Sequence, residues 1–163
     1  MNVLFRSSLE IKIDEQWQPF DGVPAFSTSN PAILQALGQM YCLPKEELPA
    51  FKPIHNGLPN DATSSSLQQL ALFTFGQTTV SLCDWLSYPF EPTKTMHYHR
   101  AQPMDTSSFS TYTVSEQDGL WSYTAQVAAH VIFSELYNWL LEVQATVSTC
   151  QHLRILYGFQ LHP

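Results

Sequence analysis

The sequence predicts an α+β fold with a mainly antiparallel sheet, packed by one long C-terminal helix and several shorter helices. Two observations lead to this class. Strands with a two-residue alternation occur near both ends of the chain, and residues 118–147 form a long segment without proline. At 163 residues the chain has the size of one ordinary domain. We therefore predict a single domain spanning residues 1–163.

The first elements form a hairpin followed by a helix. Leu9–Asp14 alternates apolar and polar residues, which predicts a half-buried strand. Asp14–Gln16 offers a short turn into a second strand at Trp17–Phe20. Asn30 precedes Pro31, the arrangement expected where a helix begins. The pattern predicts a helix from Pro31 to about Tyr41.

Two shorter helices are predicted next. The serines at 64–66, or else Asp61 or Thr63 before them, can cap a helix that runs to about Phe75. Ser81–Asp84 has the form of a capping box and begins another helix. That helix should end near Ser87, because Pro89 disfavours helical geometry in the residue before it.

The second half of the chain predicts two strands, a long helix and a final strand. Residues 94–101 and 109–114 alternate and are rich in threonine and aromatic residues. Residues 118–147 are apolar almost all round, with a narrow polar stripe that includes His130 and Ser134. With Glu135 adjacent, the stripe predicts a hydrogen-bonded seam rather than a catalytic group, because no nucleophile turn is present. Residues 153–161 alternate again and predict the last strand.

Charge, cysteine content and hydropathy exclude several classes of protein. A net charge of −7 disfavours non-specific nucleic-acid binding, which needs a basic surface. The three cysteines are widely spaced and form no CxxC pair, which favours reduced thiols over a disulfide framework. No apolar run approaches the roughly 18 residues of a membrane span. These features together predict a cytoplasmic protein that binds no membrane.

Four fragments occur along the chain in a fixed order: Trp17–Pro19, Phe51–Ile54 with Gly57–Thr63, Ser81–Tyr88 and Arg154–Phe159. They match a pattern of a W-x-P hairpin, an F-x-P-I…G-L-P-x-D-x-[ST] loop, a T-L-x-E-L-L-like helix start and a closing R-[IL]-[VL]-[FWY] strand. In this pattern the chain resembles an uncharacterised family of tailed-bacteriophage proteins.

The resemblance implies a phage or prophage origin, hence a location in the host-cell cytoplasm, and it implies no particular reaction. Relatives carry a His-Ser-His-Ser-like stretch before the third fragment, where this chain has Gly76–Thr79. A metal-binding or acid–base role of those histidines therefore does not transfer to this chain.

Candidate ligand- or partner-binding residues fall in two places. The loop FKPIHNGLPNDAT at 51–63 presents polar side chains between residues that set its turns. Residues 97–100, His-Tyr-His-Arg, place two histidines on one face of a strand beside an arginine. The predicted binding residues are Lys52, His55, Asn56, Asn60, His97, His99 and Arg100.

No catalytic residue, metal site or cofactor is assigned from the sequence. His97 and His99 are weak candidates for metal ligands, since the spacing identifies no third ligand. The chain lacks the H-E-x-x-H, phosphate-loop and dinucleotide-binding motifs.

Three functional hypotheses follow. The first is a non-enzymatic binding protein that acts in counter-defence by capturing a host component, either a nucleotide-like signal molecule or a defence protein. The second is a small metal-assisted or acid–base hydrolase that uses His97, His99 and either Asp61 or His55. The third is a homo-oligomeric structural or interaction module, in which the long helix buries an apolar face in a partner.

Overall fold

A computed structural model describes residues 2–38, 56–71 and 74–162. The described residues divide into two compact units. The first unit contains the described residues up to Tyr88 together with those from Glu135 onward, and the second contains Pro89–Ser134. The sequence expectation of one domain stays a prediction.

The elements confirm an α+β fold with antiparallel sheets. The strands are β1 (Asn2–Ile13), β2 (Gln16–Pro19), β3 (Ser27–Thr28), β4 (Phe75–Ser81), β5 (Thr93–Arg100), β6 (Phe109–Gln117), β7 (Leu120–Ala128) and β8 (Leu153–His162). The helices are α1 (Pro31–Gly38), α2 (Ser64–Leu70), α3 (Leu82–Leu86), α4 (Ala129–Ile132) and α5 (Ser134–Thr146), and a 3-10 turn covers Cys150–His152.

In the first unit, the described strands form an antiparallel sheet in the order β2-β1-β8-β4, with β3 also paired to β1. The predicted hairpin is confirmed: Asp14 and Glu15 have φ of 50° and 64°. Positive φ at both central residues is the geometry of the two-residue turn that matches strand twist. β1 and β8 pair from Asn2↔His162 to Ile11↔Leu153, so the two ends of the chain supply the centre of the sheet.

The helix starts of the first unit are close to their predicted positions. Asn30 Oδ1 accepts a hydrogen bond from the backbone N–H of Ala32 at 3.0 Å as α1 begins. The predicted extension of α1 to Tyr41 lies outside the described residues. The Ser81 hydroxyl accepts from the N–H of Asp84 at 3.1 Å and caps α3, as the capping-box pattern predicts.

Helix α2 begins where it was predicted to begin, but it ends earlier. Thr63, one of the predicted capping residues, is the N-cap of α2, and its hydroxyl accepts from the N–H of Ser66. The helix ends at Leu70, because Phe75 already belongs to β4, a strand that the sequence analysis did not predict. β4 pairs with β8 through Phe75↔Phe159, so sheet pairing determines the conformation of this segment.

Aromatic side chains form the core on one face of the first sheet. The rings of Phe5 and Tyr157 have centroids 5.1 Å apart, and those of Trp85 and Tyr157 are 5.3 Å apart. Phe5 and Tyr157 are almost completely buried. Burial raises the pKa of the Tyr157 hydroxyl to about 12, although a hydrogen bond with Thr78 opposes the shift. The phenol therefore stays neutral across the physiological pH range.

The second unit contains an antiparallel sheet in the order β5-β7-β6. It corrects the prediction of one helix over residues 118–147, because residues 120–128 form the central strand β7. Asp118 and Gly119 have φ of 52° and 78° and make a tight turn between β6 and β7. What remains helical is α4 and then the 13-residue α5, interrupted at Phe133.

The cysteine prediction is also corrected. Cys83 in α3 and Cys150 in the 3-10 turn before β8 form a disulfide, with their Cα atoms 5.0 Å apart. The 67-residue separation hid the pair, since only the fold brings α3 next to that turn. Cys42, the third cysteine, lies outside the described residues.

Within the described ranges, no helix has both the length and the apolar character needed to cross a membrane.

Candidate binding surfaces

The described part of the predicted binding loop, residues 56–63, is bonded to the edge of the first sheet. The Asn56 side chain forms two hydrogen bonds with the backbone of Thr79 in β4. Its amide nitrogen donates to the Thr79 carbonyl at 3.1 Å, and its amide oxygen accepts from the Thr79 N–H at 2.8 Å. The Gly57 N–H donates to the Gln77 carbonyl at 2.9 Å. An asparagine side chain thus satisfies backbone groups that an edge strand would otherwise leave open.

The first testable prediction concerns the loss of the two hydrogen bonds between Asn56 and Thr79. We expect Asn56→Ala to lower the free energy of unfolding by about 1–2 kcal/mol, because two hydrogen bonds to the β4 backbone are lost. Chemical denaturation of the purified protein measures the change. Asn60→Ala is the matched control, since Asn60 is exposed in the same loop and an exposed change of this kind costs under about 0.5 kcal/mol. Equal effects of the two substitutions would contradict the structural role of Asn56.

A buried charge cluster holds the other end of this loop. The Arg154 guanidinium donates to Glu10 Oε1 from Nη2 at 2.7 Å and from Nε at 3.0 Å, and from Nη1 to Asp61 Oδ1 at 3.0 Å. Glu10 is completely buried and Arg154 is 8% exposed. The cluster therefore joins β1 and β8 to the loop that precedes α2.

The remaining groups of the cluster are also hydrogen-bonded. The second oxygen of Glu10 accepts from the Thr63 N–H at 2.9 Å and from the Ser66 hydroxyl at 3.2 Å. The guanidinium carbon of Arg154 lies 4.1 Å from the centroid of the Trp17 ring, a close cation–π contact. Two carboxylates already pair with the charge of Arg154, and the side chain is buried, so the guanidinium is engaged within the fold rather than displayed to a ligand.

The residues predicted in this loop therefore have different environments. Asn56 bonds to β4, Asn60 is exposed in the turn, and Lys52 and His55 lie outside the described residues. Asp61, the acid suggested for a hydrolase, is paired with Arg154.

His97 and His99 lie in β5 of the second unit and share one face, as the sequence analysis predicted for a strand. In the register with β7, His97 faces Thr124 and His99 faces Ser122. The His97 Nδ1 is 3.3 Å from the Thr124 hydroxyl, and the His99 Nδ1 is 3.1 Å from the Ser122 hydroxyl. Both imidazoles are exposed, and these hydrogen bonds hold them against the neighbouring strand.

The same face continues across the sheet as an array of hydroxyl, amide and imidazole groups. β6 adds Thr113 opposite Thr124 and Ser115 opposite Ser122. The Gln126 amide donates to the Thr95 hydroxyl at 2.7 Å and extends the array by another row. We call this surface the hydroxyl–imidazole face; it consists of Thr95, His97, His99, Thr111, Thr113, Ser115, Ser122, Thr124 and Gln126.

The hydroxyl–imidazole face contains no carboxylate, lysine or arginine. Its rows are separated by the strand spacing of about 4.8 Å and by about 6.7 Å along each strand. Many hydrogen-bonding groups, donors and acceptors alike, therefore point in one direction from a sheet that holds them at fixed spacing.

The opposite face of this sheet is aromatic. The Tyr98 and Phe109 rings stack with centroids 5.6 Å apart and planes at 12°, and Tyr112 meets Phe109 edge-on at 5.9 Å. The Tyr123 hydroxyl accepts from the Met104 N–H at 3.0 Å, so the loop after β5 contacts this face. Tyr123 is 4% exposed, whereas Tyr112 and Val114 are 47% and 45% exposed.

Arg100 belongs to this aromatic face. Its guanidinium lies 5.5 Å from the centroid of the Tyr98 ring, and its Nη1 donates to the His99 carbonyl at 2.9 Å. Although Arg100 follows His99 in sequence, its side chain extends from the other side of the strand. The structure therefore groups His97 with His99 and separates both from Arg100.

Two further predicted groups have different surroundings from those expected. The His130 Nδ1 is 3.3 Å from the Phe90 carbonyl, and Glu135 Oε2 accepts from the Thr28 hydroxyl at 3.0 Å. The prediction of a single polar seam along one helix is therefore wrong. In the described part of the chain, no group of three or more His, Cys, Asp or Glu side chains is placed to hold a metal ion.

Sequence reasoning missed the β6 and β7 residues of the hydroxyl–imidazole face. The missed signal was the alternation in 120–128, where Ser122, Thr124 and Gln126 fall between Trp121, Tyr123, Ala125 and Val127. Asp118-Gly119 before this run is a strong hairpin signal.

Comparison with protein-family models, curated proteins and solved structures gave no significant match. The resemblance to the phage family stays a prediction.

Proposed function

We propose that this chain is a non-enzymatic binding protein and that its partner-binding surface is the hydroxyl–imidazole face of the second unit. The observation that carries the proposal is the in-register array built around His97–Thr124 and His99–Ser122. These side chains are exposed or partly exposed and fixed on three paired strands. Polar groups held on rigid strands are well suited to recognising another surface, since little side-chain entropy is lost on binding.

The chemistry of the face favours a protein as the captured host component over a nucleotide-like signal. A phosphate-bearing ligand needs arginine, lysine or helix N-termini. Arg154 is committed to Glu10 and Asp61, and Arg100 lies on the opposite side of the sheet. An array of hydroxyl, amide and imidazole groups without phosphate-binding side chains instead suits hydrogen bonding to the polar groups of a protein surface.

The role in counter-defence and the origin in a phage or prophage rest on the sequence resemblance alone. A host-cell cytoplasm is part of that proposal. The Cys83–Cys150 disulfide counts against the cytoplasm and favours an oxidising compartment, since such cross-links persist mainly there.

The proposal is tested on tagged protein recovered from phage-infected cells. We expect a host protein to be retained, and we expect the double variant His97→Ala/His99→Ala to weaken its affinity at least tenfold, about 1.4 kcal/mol of binding free energy. Native mass spectrometry identifies the retained protein, and titration of that protein against each variant measures the dissociation constant. Gln68→Ala, an exposed change on α2 of the first unit, is the matched control and should leave the affinity unchanged. An unchanged complex in the double variant contradicts the proposed surface, and a nucleotide as the retained component contradicts the proposed class of partner.

A further inference from the structure

Among the strands that the structure describes, the outer strand β6 forms an open edge of the second sheet. Within the described residues β6 pairs with β7 alone, and every residue from Ser110 to Gln117 is exposed. Open edges present unpaired backbone N–H and carbonyl groups that attract another strand. Proteins usually protect such edges with charges, prolines or bulges.

The two edges of this sheet differ in protection. β5 carries Lys94, Arg100 and two histidines. β6 reads FSTYTVSEQ and carries one charge, Glu116, near its end. Its residues are mostly β-branched or aromatic, which favours strand pairing. Its bulge lies between Phe109 and Thr111, so the edge from Thr111 onward is regular. β6 is therefore the edge that is chemically suited to pairing.

We propose that β6 pairs with β6 of a second copy of this chain, antiparallel and centred on Thr113. In this register Thr111 lies opposite Ser115 and Tyr112 opposite Val114. Hydroxyl residues then face hydroxyl residues on one side of the sheet, and an aromatic residue faces a β-branched one on the other, a favourable cross-strand pair. Glu116 lies opposite Ser110, so no like charges meet.

The resulting dimer has a six-stranded sheet in the order β5-β7-β6-β6-β7-β5. An antiparallel pair keeps directly opposite residues on the same side. The hydroxyl–imidazole faces of the two copies therefore become one surface, and so do the aromatic faces. This dimer differs from the oligomer expected from the sequence, which relied on a long helix, and it does not depend on the proposed host partner.

The test is the mass in solution of purified protein alone, by size-exclusion chromatography with light scattering. We expect twice the chain mass of 18.5 kDa for the wild type and the single mass for Thr113→Lys, since two lysines would face each other across the pair. Thr113→Glu alone should also be monomeric, and an equimolar mixture of the two variants should restore the dimer. Thr95→Lys, the same change on the same face but in β5, is the matched control and should remain dimeric.

A monomeric wild type overturns the proposal, and so does a dimeric Thr113→Lys variant. A monomeric Thr95→Lys variant would show that the dimer contact is not at the β6 edge. A mixture of the Thr113 variants that stays monomeric would contradict the proposed register. Circular dichroism of each variant confirms that the sheet is intact. The proposed host partner is absent from this experiment, so its outcome is independent of the test of function.

Discussion

Replacing Arg154 with leucine is expected to lower the free energy of unfolding by about 3–5 kcal/mol, the typical cost of removing one partner of a buried ion pair. Glu10 is completely buried, and without the guanidinium its carboxylate keeps only the Thr63 and Ser66 donors. Asp61, whose side chain is 66% exposed, can turn to water, so most of the loss comes from Glu10. Urea denaturation of both proteins at neutral pH measures the difference.

A double-mutant cycle separates the ion pair from the packing of the arginine side chain. Glu10→Leu/Arg154→Leu should recover much of the stability lost in the single variant, because no buried charge is then left unpaired. Arg154→Lys is the charge-conserving control and should be destabilised as well, since an ammonium cannot reproduce the paired donors to Glu10. A loss below about 1 kcal/mol in Arg154→Leu, the range of a surface pair, would show that the cluster is not part of the core.

Removal of the disulfide is the second change with a large expected effect. Cys83→Ala/Cys150→Ala should destabilise the protein by about 4 kcal/mol, because the cross-link closes a long loop in the unfolded chain. The bridge fixes α3 to the turn that leads into β8, so its loss also loosens the entry to the central strand. Thermal unfolding with and without a reductant measures the effect.

The cysteine double variant is the control for any effect of the reductant other than cleavage of the disulfide. A reductant should lower the melting temperature of the wild type and leave that of the variant unchanged. Thiol titration of the denatured, unreduced protein should find one reactive group, Cys42, among the three cysteines. Three reactive thiols in protein handled without reductant would show that the disulfide does not form.

Local sequence signals predicted the elements that local chemistry determines. The alternation of β1 and β8, the Asp14-Glu15 turn and the Ser81 cap of α3 are all confirmed. Each depends on residues within one turn or one strand. The Glu10–Arg154 pair depends instead on the register between strands at opposite ends of the chain, and no local pattern contains that information.

The error at residues 118–147 came from giving length and absence of proline more weight than period. The run 120–128 has a two-residue period, and its conformation is determined by two neighbouring strands that pair with it along its whole length. Tertiary pairing of this kind overrides a weak helical preference. The predicted site was incomplete for this reason: the two histidines were identified, but their partners Ser122 and Thr124 were assigned to a helix.

The central claim, that the hydroxyl–imidazole face binds a host protein, is tested most directly by site-specific photo-cross-linking in phage-infected cells. A photoreactive phenylalanine analogue is placed at Thr124, the exposed centre of the face, or at Leu141, which is 43% exposed on α5 of the first unit. The account predicts that position 124 cross-links to one host protein, identified by mass spectrometry, and that position 141 does not. The absence of a host cross-link at position 124, or the same cross-links from both positions, would contradict it.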